Sequence, residues 1–289
     1  MPYTYSVLRY PGGKSQLKKY VSHLLKINGI SGTYIEPFAG GFGLGLYLLF
    51  HKNVNTVVMN DLDPSIYSIW NAILNRKSEL VDLINQTDIT IDEWYKQKSK
   101  RKKYCDDPLS LENAFSTLFL NRTNVSGIIN GGPIGGKNQN GKYKLNCRFN
   151  KTQLIEKIEL IYQYRNRIIL YNEDACDFIS NVLGDFSSNS TFIFFDPPYF
   201  KQGKKLYLSF VDKKDHAKLA EKILELTEYN WILTYDKEKE IFDLYNSHAT
   251  AFEYKLHYSA NNKRIAKEYM FSSRKTKMES YDKVLLHKL

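Results

Sequence analysis

A chain of 289 residues can bury one large core, or a core with an inserted subdomain, and its net charge of +10 suits a polyanionic partner. The hydrophobic fraction of 43% is ordinary for a globular protein, and no apolar run reaches the ~20 residues that a membrane span requires. Cys105, Cys147 and Cys176 are scattered, with no CxxC pair and no histidine cluster, which argues against a zinc site or a disulfide framework; the N-terminus MPYTYSVLRYPGGK lacks the apolar core of a signal peptide, so the expected compartment is the reducing cytoplasm.

The first punctuation in the chain is Pro11-Gly12-Gly13-Lys14-Ser15. It resembles the end of a phosphate loop, but the glycine that loop needs five positions before Gly13 is Leu8, so an ATPase is rejected. A lysine on a glycine turn can still hold a small carboxylate such as that of a methionine moiety. The alternative is a turn with a solvated lysine. Thr33 to Glu36 (TYIE) then reads as a strand leading into Pro37-Phe38-Ala39-Gly40-Gly41-Phe42-Gly43, and a helical pattern follows over Gly45–His51. Thr56 to Asn60 (TVVMN) is a second strand, ending at Asp61, 21 residues beyond Gly40. Glycines that open a helix after a strand let backbone approach a ligand, and a carboxylate at the end of the next strand suits a ribose. Leu46 stands where the dinucleotide pattern GxGxxG needs its last glycine, so an adenosine-type ligand is favoured over NAD.

A helix over Pro64–Asn75 begins a long departure from strand–helix alternation. Helical segments are predicted at Tyr67–Gln86, Ile91–Lys103, Leu109–Leu120 and Thr152–Arg165, with the polar, glycine-rich piece GIINGGPIGGKNQNG (127–141) between the last two. Residues 67–165 hold 16 Lys/Arg against 10 Asp/Glu, six of the ten net positive charges. This stretch reads as an insertion that splits an α/β domain formed by residues 1–66 and 166–289. The run Lys96, Lys98, Lys100, Arg101, Lys102, Lys103 reads as a solvated helix face. The segment Arg122–Arg148 is the better candidate for contacting DNA: Arg122, Asn124, Lys137, Asn138, Gln139, Lys142, Lys144 and Arg148 supply groups that pair with base edges and phosphates, and the competing account is a disordered surface loop.

Alternation resumes with strands at Arg167–Tyr171 before Asp174, Thr191–Phe195 (TFIFF) before Asp196, and Trp231–Tyr235 before Asp236, with helices at Ala175–Leu183 and Lys214–Thr227. Strands alternating with helices imply βαβ units and a mostly parallel sheet; Ala251–Ser259 and Glu268–Ser272 lack an intervening helix and suit an antiparallel edge. Asp174 can accept a hydrogen bond from an adenine amine or cap the following helix. The most informative residues are Asp196-Pro197-Pro198-Tyr199. They place a carboxylate, a rigid turn with an exposed carbonyl and a ring face at the end of a buried strand, where α/β sheets bind ligands. That set serves methyl transfer to an exocyclic amine.

The ordered series RYPGGK, EPFAGGFG, NDLDP, FLNRT, DPPY, with LYLSFVDKKDH and WILTYD after it, resembles the Dam-like (alpha-group) DNA adenine-N6 methyltransferases, in a phage and restriction-modification branch. The resemblance runs along essentially the whole chain. It implies a Rossmann-like methyltransferase core, an inserted and mainly helical target-recognition domain, S-adenosyl-L-methionine as cofactor, double-stranded DNA as substrate and no metal; a cognate restriction endonuclease is a partner such a branch can have. By motif it implies cofactor contacts at Tyr10, Gly13, Lys14, Glu36, Pro37, Phe38, Gly40, Gly41, Asp61, Asp174 and Asp196, and catalysis at Asp196, Pro197 and Tyr199. Tyr10 and Pro11 stand where the best-known branch has tryptophan and alanine. The recognition loop is longer and richer in glycine than in GATC enzymes, so GATC specificity does not transfer. A catalytically silent DNA-binding regulator and an RNA adenine methyltransferase are the competing functions.

Overall fold

The computed structural model describes residues 4–10, 14–200, 212–258 and 264–289. Its elements are α1 (Lys18–Ile27), β1 (Thr33–Glu36), α2 (Gly43–Phe50), β2 (Thr56–Asn60), α3 (Pro64–Asn75), α4 (Lys77–Gln86), α5 (Ile91–Tyr104), α6 (Leu111–Thr123), α7 (Lys151–Gln163), β3 (Ile168–Tyr171), α8 (Ala175–Asn181), β4 (Thr191–Phe195), α9 (Lys213–Leu224), β5 (Asn230–Asp236), α10 (Lys239–Tyr245), β6 (Thr250–Tyr258), β7 (Arg264–Ser272) and β8 (His287–Lys288). They fall into two compact units. One joins the described residues of Met1–Gly13 to Asp63–Asn172, and the other joins Lys14–Leu62 to Glu173–Leu289.

The second unit is a sheet in the order β2-β1-β4-β5-β7-β6-β8. β2, β1, β4 and β5 are parallel, and β7 turns the sheet antiparallel against β5. Every residue of β4 (TFIFF) and of β5 (NWILTYD) is buried, as expected of central parallel strands covered on both faces. The register pairs Glu36 with Met59 and Phe195 with Leu233. The carboxyl ends of four strands therefore share one edge, where Glu36, Asp61, Asp196 and Asp236 follow or end their strands. α1 carries none of the motifs, although Tyr20, Val21, Leu24 and Leu25 give it an apolar face at helical spacing. α10 has little sequence signal because it is only seven residues long. The expected antiparallel edge is present and longer than foreseen: β6 and β7 pair over nine positions, from Thr250–Ser272 to Tyr258–Arg264.

The first unit is mainly helical, with β3 at its end. The continuous helix predicted over Tyr67–Gln86 breaks at Arg76, whose φ of −131° and ψ of 35° leave the helical region, giving α3 and α4. Asp63 caps α3 through the amide of Ser65, and Pro64 occupies the first turn, where its missing N–H is no loss. α6 is buried along most of its length, packing against both α3 and α5. The division also differs from boundaries at 66/67 and 165/166, because residues 63–66 and 166–172, like residues 4–10, belong with the helices. The Asn121 carboxamide brackets one peptide of that segment, accepting from Arg9 N at 2.8 Å and donating to Arg9 O at 3.0 Å. Lys157 Nζ adds a bond to Ser6 O at 3.0 Å. Among the described residues no helix is long and apolar enough to cross a membrane.

Candidate active site

The glycine loop after β1 is fastened to the end of β2. Ala39 N donates to Asn60 O at 2.9 Å, and Gly40 N to the Asp61 carboxylate at 2.7 Å. Asn60, wholly buried, donates from Nδ2 to the carbonyls of Pro37 and Glu173 and accepts from Glu173 N, each at 3.0 Å. One side chain thus ties the glycine loop to the segment carrying Asp174. Asp174 accepts from Cys176 N at 2.9 Å and so caps α8. Gly40 has a φ of 46°, a conformation that glycine adopts without strain. Gly45 is needed for packing: a Cβ there would sit 2.2 Å from the Phe42 ring. Pro37 and Gly41 are buried, and Phe38 is half-buried in the same loop.

Glu36 is 7% exposed at the end of β1. Its Oε1 accepts from Tyr34 OH at 3.0 Å and Gly45 N at 3.2 Å. Burial nevertheless pushes its carboxyl up to about 8, with the nearby Asp196 charge acting in the same direction.

Asp196 leaves β4 at the same edge. Its carboxylate takes the Lys14 ammonium at 2.8 and 3.0 Å on its two oxygens, and the Thr234 hydroxyl of β5 at 2.8 Å. The Lys14 side chain is 5% exposed and that of Asp196 22%. Burial raises the Asp196 carboxyl above the usual carboxylate range, and the Lys14 charge and the two hydrogen bonds oppose it. The ammonium expected to hold a small carboxylate is therefore seen on the carboxylate of the DPPY turn.

Pro197 and Pro198 are buried, and Tyr199 is half-buried. The Tyr199 ring lies 4.9 Å from Lys14 Nζ, and its hydroxyl donates to Glu268 of β7 at 2.8 Å. Phe200 N donates to the Asp236 carboxylate at 3.1 Å. Beneath them the buried His216 ring bonds the Tyr235 hydroxyl at 2.7 Å. Asp236 was legible as a strand-end acid, whereas Thr234, Glu268 and Asn60 were not singled out as site residues; of these, Glu268 carried a signal, a lone acid entering an apolar strand (EYMF).

Tyr10 lies in the helical unit and is half-buried; Gly13 lies outside the described residues, as does most of LYLSFVDKKDH. The predicted DNA-contact residues divide. Lys137, Asn138, Lys142 and Lys144 are exposed, and Arg148 partly so. Asn124 is fully buried instead, accepting from Trp94 Nε1 at 2.7 Å and donating to Ile128 O and Ile129 O. Gln139 staples its own loop, through Ile134 O at 2.8 Å, Gly136 O at 2.7 Å and Leu145 N at 2.8 Å. Arg122 is largely enclosed and donates to Val7 O at 3.5 Å; burial, with Arg9 and Arg148 nearby, lowers its guanidinium to about 10. Asn124 and Gln139 spend their amides on the loop's own backbone, which sequence could not distinguish from base-reading amides. Among the described residues no group of three or more His, Cys, Asp or Glu is placed to hold a metal ion.

Comparison with known proteins identifies the family. The chain is 25% identical over 281 residues to the type II methyltransferase M.MjaIII of Methanocaldococcus jannaschii, covering 92% of each chain. It is 25% identical to the type II methyltransferase M.CviBI of Paramecium bursaria Chlorella virus NC1A, over 91% of this chain and 95% of that one. Identity to the DNA adenine methylase of Haemophilus influenzae is 21%, over 89% and 84% of the two chains. The model of the D12 class N6 adenine-specific DNA methyltransferases matches residues 10–265, and the chain belongs to that family.

Proposed function

We propose that the protein transfers a methyl group from S-adenosyl-L-methionine to N6 of an adenine extruded from double-stranded DNA, with Asp196 receiving the amine. The observation that carries this reading is the Asp196 carboxylate at the end of β4, held by Lys14 and Thr234 and followed by an anchored aromatic ring. Adenine N6 is a weak nucleophile because its lone pair is delocalised into the ring. A carboxylate acceptor and the Pro197 carbonyl would draw the two amine hydrogens aside and favour a pyramidal nitrogen. Asp196 has capacity for this, since two oxygens offer about four lone-pair positions and three are taken by Lys14 and Thr234. Acceptors already in place stabilise the positive charge that develops on nitrogen. No covalent enzyme intermediate is required.

The residues at the strand ends fit the proposed cofactor by their chemistry. Asp61, next to Gly40, suits ribose hydroxyls, Glu36 and Lys14 suit a zwitterionic amino-acid end, and Asp174 suits an adenine amine. When bound, the cofactor supplies an electrophilic methyl on a sulfonium. The protein's own part is to orient the amine, keep Asp196 ionised through Lys14 and exclude water.

An adenine inside a duplex cannot reach Asp196, so the base must leave the stack, at a cost of a few kcal/mol. Stacking on Tyr199 offsets part of that, at roughly 1–3 kcal/mol per base. The helical unit is proposed to recognise the target, with Lys137, Lys142 and Arg148 contacting phosphate and Asn138 available to base edges. The type II names of two relatives support a restriction-modification setting for this chain. Asp196→Ala tests the reading: methyl incorporation should vanish while DNA binding persists. Retained turnover removes Asp196 from the proposed role.

A further inference from the structure

The last parallel strand, β5, and the antiparallel β7 beside it reach the Asp196–Phe200 segment at three points. β5 and β7 pair Asp236 with Glu268, and β6 and β7 pair Tyr254 with Glu268. Residues opposite one another share a face of a sheet, as do positions two apart on one strand. Thr234, Asp236, Glu268 and Tyr254 are thus one polar set on one face of three adjacent strands. Each is 9% exposed or less. Thr234 donates to Asp196, Asp236 accepts from Phe200 N, and Glu268 accepts from Tyr199 OH. Tyr254 OH donates to the second Glu268 oxygen at 2.7 Å.

A carboxylate this deep is costly to bury, and two phenol donors satisfy it. A strand that only needed to fill the core would carry an apolar residue there. The geometry points to Glu268 as a positioning residue for the reaction: it fixes the Tyr199 ring through its hydroxyl, and Tyr254 fixes Glu268 in turn. Without that anchor the half-buried tyrosine could choose among rotamers, and the flipped base would meet a mobile ring. This inference rests on the proposed stacking role of Tyr199 and adds the device that sets the angle of the ring.

The test uses full-length protein and S-adenosyl-L-methionine with two duplexes of the same sequence: one with adenine at the target position, for turnover, and one with 2-aminopurine there, which lacks the N6 amine and reports only base extrusion. Tyr199→Phe deletes the hydroxyl and keeps the ring. Loss of one hydrogen bond to a charged acceptor should lower kcat about tenfold and change the 2-aminopurine fluorescence of the complex, with the melting temperature near wild type. Glu268→Gln keeps an acceptor for Tyr199 and should retain most of kcat. Glu268→Leu should match Tyr199→Phe, and the double variant should be no worse than either. If Glu268→Leu does not fold, Tyr254→Phe replaces it, with a smaller effect of the same kind. Wild-type kcat and fluorescence in Tyr199→Phe overturn the positioning role. Tyr199→Ala separates the two ideas: if it is impaired while Tyr199→Phe is not, only positioning fails. If Tyr199→Ala also leaves the fluorescence unchanged, the stacking reading fails with it.

Discussion

Replacing Lys14 by methionine removes one charge and keeps most of the side-chain volume. The ammonium contacts both Asp196 oxygens at 2.8 and 3.0 Å and is 5% exposed. Removing one partner of a buried pair costs about 3–5 kcal/mol. The Asp196 side chain retains 22% exposure, so solvent screens part of this, and a loss of about 2–3 kcal/mol is the better expectation. If all of that loss fell on the transition state, kcat/KM near neutral pH would drop by up to about 150-fold, the ceiling expected for this variant. The pH dependence gives the sign. Burial already raises the Asp196 carboxyl, Glu268 adds to the rise, and Lys14 opposes it. Without Lys14 the carboxyl rises further, and the form that accepts the amine hydrogens appears only at higher pH. The acid limb of kcat/KM should therefore move to higher pH in Lys14→Met, with more activity recovered at pH 8.5 than at pH 6. Steady-state methylation across pH, with cofactor affinity by calorimetry, separates the accounts. A uniform fall across pH, with the acid limb unmoved, would refute the charge role and leave Lys14 only its proposed contact with the cofactor's carboxylate.

Glu36→Gln removes a buried group whose pKa is raised to about 8, mainly by burial. For a raised acid the stability penalty is absent below the unfolded pKa, grows as pH rises from about 4.5 to 8 and is full above that. The glutamine variant should therefore gain thermal stability relative to wild type at pH 8.5 but little at pH 5; equal shifts at both pH values contradict the assignment. Lys137→Ala with Lys142→Ala removes two exposed cations beside the glycine-rich loop. DNA affinity should fall for all sequences alike, with the slope of log K against log salt reduced by about 1 for each phosphate no longer neutralised. A change confined to the cognate site would make these lysines base readers.

The sheet was legible because its chemistry is local. TYIE, TVVMN and TFIFF are apolar runs of strand length ending at acids or at a glycine loop, and the structure places strands at those residues. The strand-end acids were legible for the same reason, since a parallel sheet gathers its carboxyl ends. What escaped depends on pairing across long sequence separations. Glu268 meets Tyr199 across 69 residues, and Thr234 meets Asp196 across 38. Nothing near Glu268 in the chain announces its partner. Asn124 and Gln139 show the converse failure. Both are polar residues in a glycine-rich stretch, yet burial turns Asn124 into a bracket for backbone carbonyls, and the fold of the loop does the same for Gln139. The break at Arg76 coincides with the end of the helix read over Pro64–Asn75 and with the polar run NRKSE, which the longer segment Tyr67–Gln86 passed over.

The activity proposed for this chain is methylation of adenine N6 in DNA with S-adenosyl-L-methionine as donor. Wild-type protein should be incubated with donor labelled in the methyl group and, separately, with duplex DNA and RNA of matched sequence, followed by nucleoside analysis. Label in N6-methyladenine from the duplex, and none from the RNA, is the expected result. Label in RNA alone, in cytosine, or in neither nucleic acid across duplexes of varied sequence contradicts the account.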